Sequence, residues 1–595
     1  MAGERDTPVA VIGSGSYNLQ RDSWDKPIMP PPSSRLFRRV LLTVVSIAAV
    51  TSTIPAFGQH VPNLPNPATS LEQHFQQPLV PESKPASKIQ TPPDQPPAPT
   101  TAADVRFLLR QLVIEGGSVF PQAELDALYQ PLIGHQISIA DFYNIRNEIT
   151  AKYLSNGFML SFAVIPKHNL DNGIAHIRII EGFVSDVRFI GDVTDRFEIL
   201  RGYADRIKES HPLNIKVLER YVMLMGDLPG ITARAVFQPP DPNSIGSSVI
   251  IYLDRKPIDA SVTVDNRGTR SIGAYQFSTE LALNDAFGQF DQTKIRGMLT
   301  PDVRELRFAD IEHTEQLGTD GLTLAVGARK YWSDPGDVYK QYDLKSQVTA
   351  YRSSLSYPMI RTRSETLRLN ADLNYRDSRQ NLLGLMYNVE NVRYITLGTS
   401  YDFADGWDGS NLFQVGLNHG LDVANAKTAY LAGQPRVYAN PTYNKVTFSG
   451  QRLQKLTDHY GILFGLEGQY SPDMLVSGEQ YGVGGKLFGR GFDTNDVVGD
   501  SGGSAKIELQ YTPAIEIPKV QYVQFFSYLD YGKVWVNHAG TADNTLELAS
   551  VGGGFRFWIT ETIIGSLEVG VPLFRNVTQE GNRDSRGFFS ISAKY

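Results

Sequence analysis

The amino-acid sequence predicts an all-β transmembrane barrel of about 16 antiparallel strands, preceded by two small α+β domains. Three observations carry that expectation. From about Ile258 to Tyr595 apolar and polar residues alternate with period two. Between Val105 and Pro257 an order of strand, helix, helix, strand, strand occurs twice. The 52 Gly, 28 Tyr and 29 Phe accompany only moderate hydrophobicity, the composition of a membrane barrel whose wall has one apolar face.

The chain begins with an address. Arg35, Arg38 and Arg39 precede the uncharged stretch Val40 to Phe57, VLLTVVSIAAVTSTIPAF, which ends near small residues. That order is read as a secretory signal peptide with a long N-terminal extension, residues 1–58, cleaved after Gly58 or, alternatively, after Ala56. A single anchoring helix is the competing reading, disfavoured by the Thr, Ser and Pro that interrupt the stretch. Residues 59–103, as in TPPDQPPAPTTAAD, are a Pro-rich linker that cannot bury a core. Within it Ser70 to Gln77, SLEQHFQQ, has the length for two helical turns.

Residues 104–182 form the first α+β unit and 183–257 the second. In the first, FLLRQLVIEG is read as one strand, PQAELDALYQPLIG as a short helix and SIADFYNIRNEITAKYLSNGF as a longer one. Ser138 and Asp141 make a capping-box start, Phe142, Ile145, Ile149 and Tyr153 line one helical face, and Gly157 supplies the stop. The second copy runs FVSDVRFIGD, a helix over 197–207, LNIKVLERYVMLMGD, ITARAVFQPP and SVIIYLDRKP. Exposed sheet edges of such units can recruit an extended peptide, and a rigid spacer without a partner is the alternative.

Residues 258–595 carry the barrel. Leu367, Leu369, Ala371, Leu373 and Tyr375 alternate with polar neighbours, as do Ala505, Ile507, Leu509 and Tyr511. In the final segment GFFSISAKY, Phe589, Ile591 and Tyr595 share a face. In the segment Phe525 to Trp535, FFSYLDYGKVW, Phe525, Leu529 and Tyr531 fall opposite Tyr528, Asp530 and Gly532, so Asp530 points into the lumen if the first face meets lipid.

A net charge of −7 without a basic block argues against nucleic acid as a partner. The absence of cysteine excludes disulfides, zinc knuckles and thiol nucleophiles. No P-loop, His-Glu-x-x-His pair or Gly-x-Ser-x-Gly elbow is read, so no catalytic residue, metal or cofactor is expected and the chain is not read as an enzyme.

Two such α+β units before a barrel, with GEQYGVGGKLFGRGFDTNDVVGD at 478–500, FFSYLDYGKVW at 525–535 and VTVDNRGT at 262–269, resemble the Omp85 superfamily. More closely, the chain is similar to the TpsB transporters of two-partner secretion, the filamentous-haemagglutinin and haemolysin secretion and activation proteins. The resemblance covers about residues 105–595 and makes the α+β units POTRA domains. It implies an inward-folded sixth loop, about 472–502, whose motif maps onto Arg490, Gly491, Phe492 and Asp493. The implied wall partner maps onto Tyr528, Asp530 and Gly532 of the thirteenth strand, with Arg490 held by Asp530, and the end of the chain supplies an assembly signal in Phe589, Ile591 and Tyr595. The residue before the arginine is Gly489 where the family usually has an aliphatic one, a change expected to loosen the backbone and remove an apolar contact. Exchanging Arg490 and Asp530 is expected to recover some activity if they pair directly. The implied function is a protein-conducting outer-membrane pore, monomeric, that receives an unfolded secreted exoprotein through periplasmic POTRA domains. The implied partners are that exoprotein, the outer-membrane assembly machinery and the lipid bilayer. An insertase of outer-membrane proteins and a passive porin are the alternatives. The family's plug helix is normally longer than Ser70 to Gln77.

Overall fold

The computed structural model describes residues 11–13, 81, 97–167, 170, 172–191, 198–238, 246–431, 436–515, 517–537 and 544–595. The expected signal peptide, its cleavage site and Ser70 to Gln77 lie outside the described residues.

In the first α+β module helix α1 is Gln122–Asp126 and α2 is Ile139–Ser155. Ser138 caps α2: its Oγ accepts from the Asp141 N–H at 3.1 Å, and the Asp141 carboxylate accepts from the Ser138 N–H at 2.8 Å. Phe142, Ile145, Ile149 and Tyr153 are all buried, packed over a sheet ordered 111–115, 174–180, 162–164. Two expectations are corrected. The segment FLLRQLVIEG is two strands, Arg106–Leu108 and Gln111–Glu115, because at Leu109 and Arg110 the backbone changes partner, from His135 to Gly173. The first helix is shorter than the pattern suggested: Pro131 has no N–H, and its ring would strike the carbonyl four residues back, so only a 3-10 turn follows, at Gln130–Leu132.

The second module places Val184–Gly191 parallel to Ser247–Arg255, which pairs antiparallel with Ile231–Gln238. Helices α3, Glu198–Lys208, and α4, Ile215–Asp227, pack on that sheet, with Asn214 capping α4 through the Lys216 N–H at 3.0 Å. The short strand Val11–Gly13 pairs antiparallel with the outer edge of Ile231–Gln238.

Glu181 ties the end of the first module together. Its carboxylate accepts from the Ser118 and Val119 N–H groups at 2.6 and 3.1 Å, from the Ser118 hydroxyl at 2.7 Å and from the buried Tyr153 hydroxyl at 2.8 Å. Burial pushes its pKa up, but these hydrogen bonds outweigh burial and hold it below the ordinary value. The depressed pKa adds stability above the ordinary glutamate range, and that stability is lost as pH falls through the folded value. Glu181→Ala leaves four donors without their acceptor and should destabilise this module by about 1–3 kcal/mol, read as faster proteolysis within residues 104–182 of the full-length protein. Glu181→Gln should cost less.

Sixteen antiparallel wall strands close the barrel. Numbered β1 to β16, they are Ile258–Asp265, Gln276–Asn284, Gln292–Leu299, Arg307–Leu317, Leu322–Ser333, Lys345–Arg361, Glu365–Leu382, Leu385–Ala404, Gly409–Gly420, Asn444–Lys455, Tyr460–Tyr470, Ser501–Tyr511, Tyr522–Trp535, Thr545–Trp558, Ile563–Pro572 and Arg586–Lys594. β1 meets β16 over Ser261–Asp265 and Ser590–Lys594. Leu373, Leu397 and Leu466, in mid-strand, are 55, 56 and 55% exposed, whereas Arg376 and Glu390 on the opposite face are buried. Apolar outside and charged inside is the pattern that a lipid surround demands.

The second module is fastened beneath this wall. Asp227 takes the Arg361 guanidinium through two hydrogen bonds of 2.6 and 2.7 Å. Arg220 donates to the carbonyls of Pro358, Met359 and Asp320 at 2.8, 3.3 and 3.0 Å. Phe290, from the turn between β2 and β3, is built into the module's own core. The turns that receive the module therefore belong to β2 through β7.

Candidate functional site in the barrel lumen

The sixth far-end loop, between β11 and β12, folds back into the lumen. Two of its segments, Tyr481–Val483 and Val497–Gly499, pair with each other, and the turn they enclose carries Arg490. Around it Tyr481, Val483, Phe488, Phe492 and Val497 bury against Val534 of β13, Leu548 of β14 and Val577.

Register decides what Arg490 meets. Lys506 of β12, Asp530 of β13 and Ser550 of β14 stand opposite one another in one lumenal row. Arg490 donates to Asp530 from its own backbone N–H at 2.9 Å, from Nε at 3.0 Å and from Nη2 at 3.0 Å. Its Nη1 donates to Glu508 of β12 at 2.5 Å, and Arg556 of β14 pairs with the same carboxylate at 2.9 Å. The guanidinium carbon lies 3.5 Å from the centroid of the Tyr528 ring. Asp530 is 0% and Arg490 5% exposed, so neither charge is served by bulk water. A buried pair of this kind does little for net stability but is costly to break, because one deletion strands the other charge.

The surrounding glycines explain how a backbone approaches so closely. Gly489 has φ +74, and a Cβ there would lie 2.7 Å from Leu548 Cδ1. The expected loosening at this position is thus corrected: the turn needs a left-handed residue without a side chain, and Leu548 fills the space. Gly532 makes room for the loop, since a Cβ on it would lie 2.4 Å from Val483 Cγ1.

The other sequence-identified residues separate into two places. Gly491 lies against β14 and β15, Asp493 pairs with Arg586 of β16 at 2.6 Å, and Phe492 is packed in the apolar cluster rather than beside Asp530. Phe589, Ile591 and Tyr595 are away from the latch. Ile591 is half-exposed on the outer wall, and the Tyr595 carbonyl accepts from Lys256 at 2.8 Å. The expectation of no Gly-x-Ser-x-Gly elbow is corrected, since Gly499 to Gly503 has that spacing. Ser501 opens a wall strand there instead of a strand-to-helix turn, and its hydroxyl exchanges hydrogen bonds with the Ser471 backbone.

Sequence reasoning missed Glu508 and Arg556. Both were legible as inward residues by parity, but their meeting at Arg490 depends on the register of β12, β13 and β14. It also missed a second attachment of the loop, at Glu479, which pairs with Arg376 of β7 at 2.9 Å and with Lys445 of β10 at 2.8 Å.

Comparison with known proteins agrees with this architecture. The family model "Haemolysin secretion/activation protein ShlB/FhaC/HecB" matches residues 246–557, and "POTRA domain, ShlB-type" matches residues 107–182. The chain is similar to the heme/hemopexin transporter protein HuxB of Haemophilus influenzae (strain 86-028NP), at 22% identity over 92% of this chain and 97% of that one. It is also similar to the outer membrane transporter CdiB of Escherichia coli O6:K15:H31, at 23% identity over 80% of this chain and 81% of that one. The solved structure of CdiB from Escherichia coli shares the fold, with a TM-score of 0.70 at 20% identity over 86% of this chain and 94% of that one. The chain belongs to the haemolysin secretion/activation protein family.

Proposed function

We propose that the protein is the outer-membrane, protein-conducting channel of a two-partner secretion pair. It takes an extended exoprotein from the periplasm and passes it through the barrel to the cell surface. The observation that carries this is a lumen occupied by a loop that is latched to the wall by a buried ion pair, with an α+β module fastened under the same barrel. A passive porin has no use for either. The relatives are named as transporters, which supports a non-enzymatic role.

On this reading Arg490 and Asp530 set the seat of the loop, and Phe589, Ile591 and Tyr595 present the outer-wall aromatic and apolar face that the assembly machinery receives. The two modules, residues 104–182 and 183–257, take the exoprotein. Once residues 1–58 are removed, the outer edge of Ile231–Gln238 is left for strand addition by the exoprotein. Residues 1–58 direct export, and residues 59–103 act as a tether.

Removal of this protein should abolish surface appearance of one secreted protein while the outer-membrane protein profile stays unchanged. Depletion of many outer-membrane proteins would replace this reading with that of an insertase. Deletion of residues 104–182 should leave a heat-modifiable barrel in the membrane and stop export.

A further inference from the structure

Loop 6 does not fill the lumen evenly. Its apolar cluster is packed on β13, β14 and the segment after β15. On the opposite side a cavity of about 480 Å³ is lined by β3 through β11 and by loop residues Gly478 to Gly482 and Asn495. Its lining is polar, and four of its charges compensate one another in pairs: Arg296 with Asp310 at 2.7 Å, and Arg352 with Asp372 at 2.8 Å. Such a surface offers hydrogen bonds to a passing backbone without trapping segments of either sign.

The loop is tied to the wall of this cavity at Glu479. Glu479 bridges Arg376 and Lys445, its carbonyl accepts from Lys445 at 3.1 Å and from Gln469 at 2.9 Å, and Arg376 donates to the Gly478 carbonyl at 2.9 Å. Below, the turns that hold the second α+β module belong to β2 through β7, strands that overlap the cavity wall.

We propose that the exported chain, in extended form, runs along the lumenal face of β3 to β11. The Glu479 bridge is the bar it displaces, while the Arg490 latch stays shut on the other wall. This rests on the secretion reading above. It names the side of the barrel that contacts the cargo, an unfolded polypeptide recognised here by its backbone and not by its sequence. The second module hands such a chain directly onto the strands that it grips.

The chain has no cysteine, so each introduced thiol is unique. Full-length Asn374→Cys, whose side chain lines the cavity, and Gln524→Cys, on the lumenal face of β13 below the latch, are placed separately in planar bilayers. A trimethylammonium-ethyl thiosulfonate reagent is then added, with modification confirmed by mass. Conductance should fall several-fold for Asn374→Cys and hold for Gln524→Cys. Equal loss at both sites, or full conductance through modified Asn374→Cys, would overturn the assignment. Glu479→Gln should raise open conductance several-fold and Glu479→Asp should stay near the parent; an unchanged Glu479→Gln channel would remove the bar. These readings use no cargo, so their failure would leave the export test standing.

Discussion

Arg490→Ala is expected to yield a folded, membrane-inserted barrel that exports little or nothing. The wall keeps its strand pairing, because Arg490 belongs to the loop and not to the ladder. The substitution removes the donor for two carboxylates, Asp530 and Glu508, that are almost fully buried. Breaking one partner from a buried pair costs roughly 3–5 kcal/mol. Arg556 still neutralises Glu508, but Asp530 loses both of its hydrogen bonds from the Arg490 guanidinium. The loop can keep at most the backbone contact. Protease access to residues 472–502 should rise sharply while heat modifiability on gels is preserved. Arg490→Lys keeps the charge but cannot span both carboxylates, and should recover only a fraction of export.

The same geometry revises the exchange experiment. Sequence alone pairs Arg490 with one acid, so swapping the two charges should rescue. The structure gives Arg490 a second acid, and an Asp at 490 would face Glu508 across the distance that the guanidinium now fills. The double exchange should therefore remain defective, and adding Glu508→Gln should improve it. Export assays on the three variants check this order.

What was legible in the sequence follows from what period and capping encode. Alternation placed Asp530 inward, and the 3.6 spacing of Phe142, Ile145, Ile149 and Tyr153 placed the buried face of α2, because both are local properties of one element. Glu508, Arg556 and Glu479 escaped for a different reason. Each acquires its meaning from residues on other strands, and the register between strands is set by hairpins and by closure of the whole barrel. The break at Leu109 escaped likewise, since a change of backbone partner leaves no mark in hydropathy.

Gly489→Val installs the kind of residue the family usually carries before the arginine, yet here it is expected to be among the most damaging single changes in the loop. Two penalties combine. A β-branched residue at φ +74 costs about 1–2 kcal/mol in backbone strain. Its Cβ would also sit 2.7 Å from Leu548 Cδ1 and 3.2 Å from Gly484 Cα, which overpacks a buried cluster by a further 1–3 kcal/mol or so. Leu548→Ala opens the side-chain space but leaves the backbone strain, so the pair Gly489→Ala with Leu548→Ala should recover part of the loss and no more. Loop proteolysis and export should move together across the series if the seat of Arg490 is what matters. If Gly489→Val exports normally, the left-handed turn is not required to hold the guanidinium, and the aliphatic residue of the relatives is interchangeable with the glycine after all. The expected result is the reverse: in this chain Leu548 has taken the volume that an aliphatic side chain at 489 would need, and the left-handed backbone at 489 would stay strained even with that volume freed.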